Sequence, residues 1–215
     1  MRCSAPNRVV LLAFALVAAS TPAGAEPSPS NSIAPVCISL VGTSGNIPAH
    51  AAGRFQVLVR DLANNPVAGA HVVIDLSGCP DLHLCADQLD PAMDVDCANK
   101  RVGKFTDPTG SVTFTLLGGS NGAGNAVELL AAGRIYEDGN LIGDPTVSAY
   151  DLDGANGVGI NDLSAWLTDF GAFGAPAFGR SDFDCSGSVG VNDFSLMLTA
   201  LGSGAQTQSC GATCP

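Results

Sequence analysis

The chain has 215 residues, with 20 Asp+Glu against 9 Lys+Arg and a formal net charge of −11. Charge of this sign excludes a nucleic-acid partner, which needs clustered Lys and Arg to neutralise phosphates, and it disfavours an anionic membrane surface for the same reason. At about 100–200 residues per domain the length allows one or two domains, and 26 Gly, 13 Pro and 13% charged residues suit a loop- and strand-rich exported chain better than a helical enzyme.

Residues 1–25 read as a secretory signal, cleaved near Ala25. Arg2 and Arg8 make the positive start, residues 9–19 an 11-residue apolar run, and Ala23-Gly24-Ala25 the small-residue cleavage pattern. That run is shorter than the roughly 20 residues a membrane span needs, and no later stretch qualifies, so no membrane span is expected. Residues 26–34 are rich in Pro and Ser and read as a flexible leader. Export makes disulfides the default for Cys37, Cys79, Cys85, Cys97, Cys185, Cys210 and Cys214, an odd set whose connectivity spacing does not determine. The expected local bridge is Cys79–Cys97, stapling a long loop. His83 lies in that loop, but the cysteine spacings match no zinc finger or ribbon.

Short strands follow in chain order. Residues 36–41 are the first; in residues 54–60 Phe55, Val57 and Val59 alternate onto one face; in residues 70–76 Val72, Ile74 and Leu76 point inward and His71 outward. Residues 102–106 and 111–117 flank the turn Asp107-Pro108-Thr109-Gly110. Residues 126–131 and 134–136 come next, and Glu137-Asp138-Gly139-Asn140 signals a hairpin into Leu141. Strands at this spacing predict an all-β sandwich over residues 35–149. The stretches DLANNPVAGAHVVIDL and FTDPTGSVTFTLL resemble bacterial immunoglobulin-like domains of surface and secreted proteins, in which a polar turn followed by Pro-Val-x-Gly-Ala opens a strand.

No catalytic residues are expected. His50, His71 and His83 have no Ser or Cys partner in a recognised motif, no G-x-S-x-G, H-E-x-x-H or phosphate loop occurs, and Glu26, Glu128 and Glu137 are the only glutamates.

The informative feature is a gapless internal repeat at an offset of 31 residues, DLDGANGVGIND from Asp151 aligned with DFDCSGSVGVND from Asp182. Leu163/Phe194, Trp166/Met197, Leu167/Leu198 and Phe170/Leu201 continue it at helical spacing, and Gly171/Gly202 end it. Each copy is therefore a loop feeding a helix with one buried face. Calcium takes about six to eight oxygens, offered by a loop of about 12 residues at its first, third, fifth, seventh, ninth and last positions. The second copy supplies Asp182, Asp184, Ser186, the Ser188 carbonyl, a water position at Gly190 and Asp193, with Gly187 at the sharp turn. The first supplies Asp151, Asp153, the Gly157 carbonyl, a water position at Gly159 and Asp162. It lacks a side-chain oxygen at Ala155 and has Asn156 in place of the turn glycine. Two Ca²⁺ sites are expected, the first weaker, with Val158 and Val189 pairing the loops.

Over residues 150–203 this repeat resembles a type I-like dockerin domain, whose loops end in Asp as Asp162 and Asp193 do. The resemblance implies a small all-α domain of paired F-hand, EF-hand-like units, folded by calcium, that docks onto a cohesin module of a scaffolding or surface protein. It assigns partner binding to Ile160, Asn161, Leu167 and Thr168 in one copy and to Val191, Asn192, Leu198 and Thr199 in the other; core packing is the other reading of Leu167 and Leu198. Familiar cellulosomal members carry Ser-Thr where this chain has Ile160-Asn161 and Val191-Asn192. The near-identity of the copies implies binding in two orientations. In the tail, residues 203–215, Cys210 is expected to bridge Cys214, or one of the two to bridge Cys185; a free thiol linking two chains is the alternative. The expected function is a non-catalytic adaptor of extracellular polysaccharide breakdown. The alternative is a structural or adhesive surface protein in which the calcium repeat serves as a stapled cap or assembly joint.

Overall fold

A computed structural model of the chain describes residues 25–121, 133–155, 157–172, 179–202 and 210–214. The expected secretory signal, except for Ala25, and the strand expected at residues 126–131 lie outside the described residues.

The elements run β1 (Cys37–Leu40), β2 (Thr43–Ser44), β3 (Ile47–Pro48), α1 (His50–Gly53), β4 (Arg54–Leu58), β5 (His71–Asp75), β6 (Leu82–Leu84), β7 (Asp94–Asp96), β8 (Arg101–Phe105), β9 (Ser111–Thr115), β10 (Gly118–Ser120), β11 (Arg134–Glu137), β12 (Asn140–Gly143), β13 (Thr146–Ala149), α2 (Ile160–Asp169) and α3 (Val191–Gly202). The alternating stretches form strands because their apolar positions share one face. Five antiparallel strands make the largest sheet, in the order β12-β11-β5-β8-β7. β4 pairs with β9, setting Phe55 opposite Phe114 and Val57 opposite Val112. β1 runs parallel to β13, β10 pairs with β6, and β2 with β3. A first core gathers Val57, Val72, Ile74, Val102, Phe114, Leu116 and Ile135 from these strands. Each such side chain contributes about 1.5–3 kcal/mol on burial.

This architecture corrects the expected fold class. The described strands are spread over one five-stranded sheet and four two-stranded ones, not the two sheets of an immunoglobulin-like sandwich. Only three short helices occur among the described residues, and no separate all-α domain stands beside the strands. The reason lies in how little each helix buries. α2 buries Trp166, and α3 buries Met197 and Ala200; these side chains enter a second core completed by Val41, Ala49, Leu117 and Tyr150 from the strand region. The helical face read from the repeat is correspondingly narrower than expected, since Leu167 is 55% and Phe170 54% exposed.

The expected Cys79–Cys97 staple and Cys210–Cys214 bridge do not form. The bridges are Cys37–Cys185, Cys85–Cys210 and Cys97–Cys214, and among the described residues Cys79 is the free cysteine, buried, with burial raising its thiol pKa to about 12. The physical reason is that the segment between Cys79 and Cys97 is not a free loop. It contributes β6 and β7 to sheets, and the tail lies along it: Ala86 N donates to Ala212 O at 2.8 Å and Cys214 N to Leu84 O at 2.7 Å. His71 is half-buried, its ring stacked on Phe105.

Glu137, at the end of β11, is fully buried, and no hydrogen-bond donor reaches either carboxylate oxygen among the described residues. Burial first, and then the Asp138 carboxylate, push its pKa to about 7. A raised acid pKa means that the folded state holds this proton after the unfolded chain has released it. The contribution of Glu137 to stability should therefore be most favourable below about pH 4 and fall as pH rises to about 7. Glu137→Gln should flatten that slope and raise the neutral-pH stability by about 1–3 kcal/mol in urea unfolding; an unchanged slope would contradict the buried-acid account.

Candidate metal centre

Each repeat loop is anchored by its second residue. Leu152 and Phe183 are buried in the second core, Phe183 against Tyr150 with ring centroids 4.4 Å apart, while Tyr150 Oη donates to Ala52 O at 3.1 Å. With these side chains turned inward, the carboxylates on either side turn toward one another. Asp151, Asp153 and Asp162 form one cluster and Asp182, Asp184 and Asp193 the other, with ligand atoms within 4.8 Å of one another in each. These are six of the residues expected from the repeat.

The last aspartate of each loop also caps the helix that follows. Asp162 Oδ1 accepts from Leu152 N at 2.6 Å and Asp153 N at 2.9 Å, and Oδ2 from Gly159 N at 2.6 Å. Asp193 repeats this with Asp184 N at 3.1 Å and Gly190 N at 2.8 Å. Both aspartates are 1% exposed. The first aspartate shapes the turn: Asp151 Oδ2 accepts from Gly157 N at 3.0 Å, and Asp182 accepts from Ser186 N at 3.0 Å and Gly187 N at 2.9 Å. Loop, ligand and helix start are thus one hydrogen-bonded unit.

The remaining expected ligands divide by copy. Ser186 Oγ and the Ser188 carbonyl lie 3.1 Å apart, so the fifth- and seventh-position oxygens of the second loop are neighbours. In the first loop Ala155 donates its N–H to Asp153 and has no side-chain oxygen to offer; Asn156 lies outside the described residues. Gly157 has φ +150° and Gly187 φ +85°, backbone regions that favour glycine. Val158 and Val189 are both buried, but the expected pairing of the loops takes another form: Val189 accepts from Gly171 N at 3.0 Å and donates to Ala172 O at 3.1 Å. Gly171, at φ +83°, is the turn that ends α2 and brings the chain back to the second loop.

Electrostatics favour a cation in both clusters. Burial raises the Asp162 pKa, and the charges of Asp153 and Asp151 add to the rise; burial likewise raises that of Asp182, with Asp193 contributing. A divalent ion would remove this repulsion, and a donor set made only of oxygen suits a hard cation of the calcium class rather than zinc or copper.

Several supporting residues were not legible in the repeat. Gly119 on β10 lies against the first loop: a Cβ there would sit 2.9 Å from Asp151 Oδ2 and 3.1 Å from the His83 ring, so only glycine leaves Asp151 in place. Ser120 N donates to Asp151 O at 2.9 Å. Burial depresses the His83 pKa despite the nearby Asp151 carboxylate, which keeps that ring neutral. Asp169, at the end of α2, accepts from Arg180 Nε at 2.7 Å, Arg180 Nη2 at 3.0 Å and Ser181 Oγ at 2.7 Å, and Trp166 Nε1 donates to Ser181 O at 3.2 Å. This brace sets the chain immediately ahead of Asp182.

Cys185, at the fourth position of the second loop, is bridged to Cys37 on β1. Its φ is +54°, where the first loop has Gly154 at +69°. A cysteine standing in for a glycine between two ligand positions was the sequence signal for this tether.

Of the expected partner-binding residues, Ile160 and Val191 are each 76% exposed, Leu167 55% and Leu198 47%. Asn161, Thr168 and Asn192 are exposed and Thr199 half-buried. The core-packing reading of Leu167 and Leu198 is therefore ruled out, and matched apolar side chains of the two copies face solvent. No protein-family model matches the chain, and no curated protein and no solved structure is significantly similar to it.

Proposed function

We propose that this chain is a secreted, non-catalytic calcium-binding protein whose paired, dockerin-like loop–helix repeat docks onto a cohesin-type module of a scaffolding or surface protein, in extracellular polysaccharide degradation or surface assembly. One observation carries this reading. Two largely buried three-carboxylate clusters in the same register each start a helix that exposes the same apolar positions, Ile160 and Leu167 in one copy and Val191 and Leu198 in the other. Calcium would act through the chain's own residues: neutralising Asp151, Asp153 and Asp162, or Asp182, Asp184 and Asp193, fixes the loop whose last aspartate holds the helix N-terminus. The docking side chains would be presented only once those helix starts are fixed. Three disulfides support an oxidising, extracellular setting.

A panel of immobilised cohesin modules, probed with the exported chain in calcium and then in EGTA, tests this. The expected result is capture by at least one module in calcium and release in EGTA. Capture should weaken at least tenfold only when Ile160→Asp and Val191→Asp are combined, because either copy can serve. A large loss from one change alone would contradict the two-orientation reading. The second core favours the second reading, in which the calcium repeat is a stapled joint of a structural surface protein, because it fuses the helices to the strands. No capture by any module, with calcium still raising the melting temperature, would decide for it.

A further inference from the structure

Away from the two carboxylate clusters, a cleft of about 380 Å³ opens between α1, residues 88–91 and the β4–β9 ladder. Three basic side chains line it, His50, Arg54 and Lys104, against one acid, Asp90, in a chain of net charge −11. Lys104 and Asp90 neutralise each other: Nζ donates to Asp90 Oδ2 at 2.8 Å and to Thr113 O at 2.7 Å, and it lies 5.6 Å from the centroid of the Phe114 ring. Arg54 and His50 remain. Among the described residues no side-chain hydrogen bond or ion pair engages the Arg54 guanidinium. His50 Nδ1 is hydrogen-bonded to Thr115 Oγ1 at 2.8 Å, which holds the ring and leaves Nε2 for another partner.

The rim is built rather than loose. Gln88, 3% exposed, donates to Cys85 O at 2.7 Å and Leu117 O at 2.9 Å and accepts from Leu117 N at 2.8 Å. Beside it Leu89 has φ +58°, a conformation that an apolar branched residue adopts only where its surroundings impose it. That turn presents Asp90 to Lys104. Such strain gathers at ligand clamps, and the cleft has the size of a small-molecule site.

We propose that this cleft binds a small hydroxylated carboxylate of sugar-acid size, its carboxylate held by the Arg54 guanidinium and His50 Nε2 and its hydroxyls by the Asp90 carboxylate. A guanidinium matches a carboxylate through two parallel hydrogen bonds. Asp90, its charge already met by Lys104, selects for hydroxyl donors, which its spare lone pairs accept. This site is independent of the calcium reading.

Isothermal titration of the exported chain, bridges intact and in EDTA so that metal-bridged binding does not enter, tests it with glucuronate, galacturonate, glucose and inorganic phosphate as probes. Saturable binding of a uronate is expected, at least tenfold tighter than glucose or phosphate. Arg54→Ala should weaken it at least tenfold, and Arg54→Lys, which keeps the charge but not the fork, by less. Arg54 is exposed, so these variants keep the fold; His50→Gln provides an independent second test and should also weaken binding. Three results would each overturn the proposal: no saturable uronate binding, glucose or phosphate binding as tightly as the uronate, or uronate binding unchanged in Arg54→Ala.

Discussion

Truncating Trp166 to alanine is expected to lower the unfolding free energy by about 3–5 kcal/mol, the range for deleting a large buried aromatic. Trp166 is 1% exposed, stacks on Phe194 with centroids 5.2 Å apart and donates to Ser181 O. It therefore joins α2 to α3 and both to the start of the second loop. A loss of this size is a large share of the roughly 5–15 kcal/mol that a domain of this kind possesses. It should also lower calcium affinity at the second loop, since the Ser181 brace positions Asp182. Chemical unfolding in EGTA measures the first effect and calcium titration of the variant the second. A stability loss below about 1 kcal/mol would mean that the second core is not shared between the copies.

The Cys37→Ser, Cys185→Gly pair is the second. Deleting a native bridge that spans 148 residues of sequence costs about 2–5 kcal/mol, less than its span alone suggests because Cys85–Cys210 already shortens the loop it closes. Glycine at 185 keeps the left-handed backbone that Cys185 adopts at φ +54°, so backbone strain does not enter the comparison. Calcium affinity at the second loop is expected to fall about tenfold, because the bridge holds the peptide between Asp184 and Ser186 in its binding conformation. Coupling of this kind is reciprocal. Saturating calcium should shift the thiol–disulfide equilibrium of the wild-type bridge toward the disulfide by a similar factor. Equal affinities in the bridged and unbridged proteins would show that the tether plays no part in the site.

The carboxylate clusters were legible in the sequence because repetition fixes register. Once Asp151 aligns with Asp182 without a gap, Asp162 and Asp193 fall at matching loop ends, and the geometry assembles all six aspartates. Strands such as β5 and β9 were legible for a similar reason, since Val72/Ile74 and Val112/Phe114 alternate onto one buried face. Long-range partners were not. Nothing in residues 36–41 announces a parallel partner more than 100 residues away, yet β1 pairs with β13. Proximity along the chain favoured Cys79–Cys97, whereas the tail brings Cys214 to Cys97 and leaves Cys79 in the first core. The helix faces misled in the same way. Periodicity marks Leu163, Trp166, Leu167 and Phe170 as one stripe, but the wall the stripe meets has room for Trp166 and not for Leu167 or Phe170. The missing wall atoms include Val41 and Leu117, which sequence pattern alone assigned to the strands. The separate helical domain drawn from the repeat failed at this point.

Calcium titration of the whole exported chain, bridges intact, followed by calorimetric melting, tests the central claim most directly. The whole chain is required, because the core under both loops includes strand residues. A ligand bound only by the folded state adds stability as RT ln(1 + [Ca]/Kd), about 2.7 kcal/mol at a hundredfold excess over Kd. Two binding events of unequal strength are predicted. The tighter should vanish in Asp193→Ala and the weaker, at the loop lacking an oxygen at Ala155, in Asp162→Ala, with a melting temperature that rises with calcium in the wild type. A melting temperature indifferent to calcium, with no heat of binding at either loop, would contradict the account.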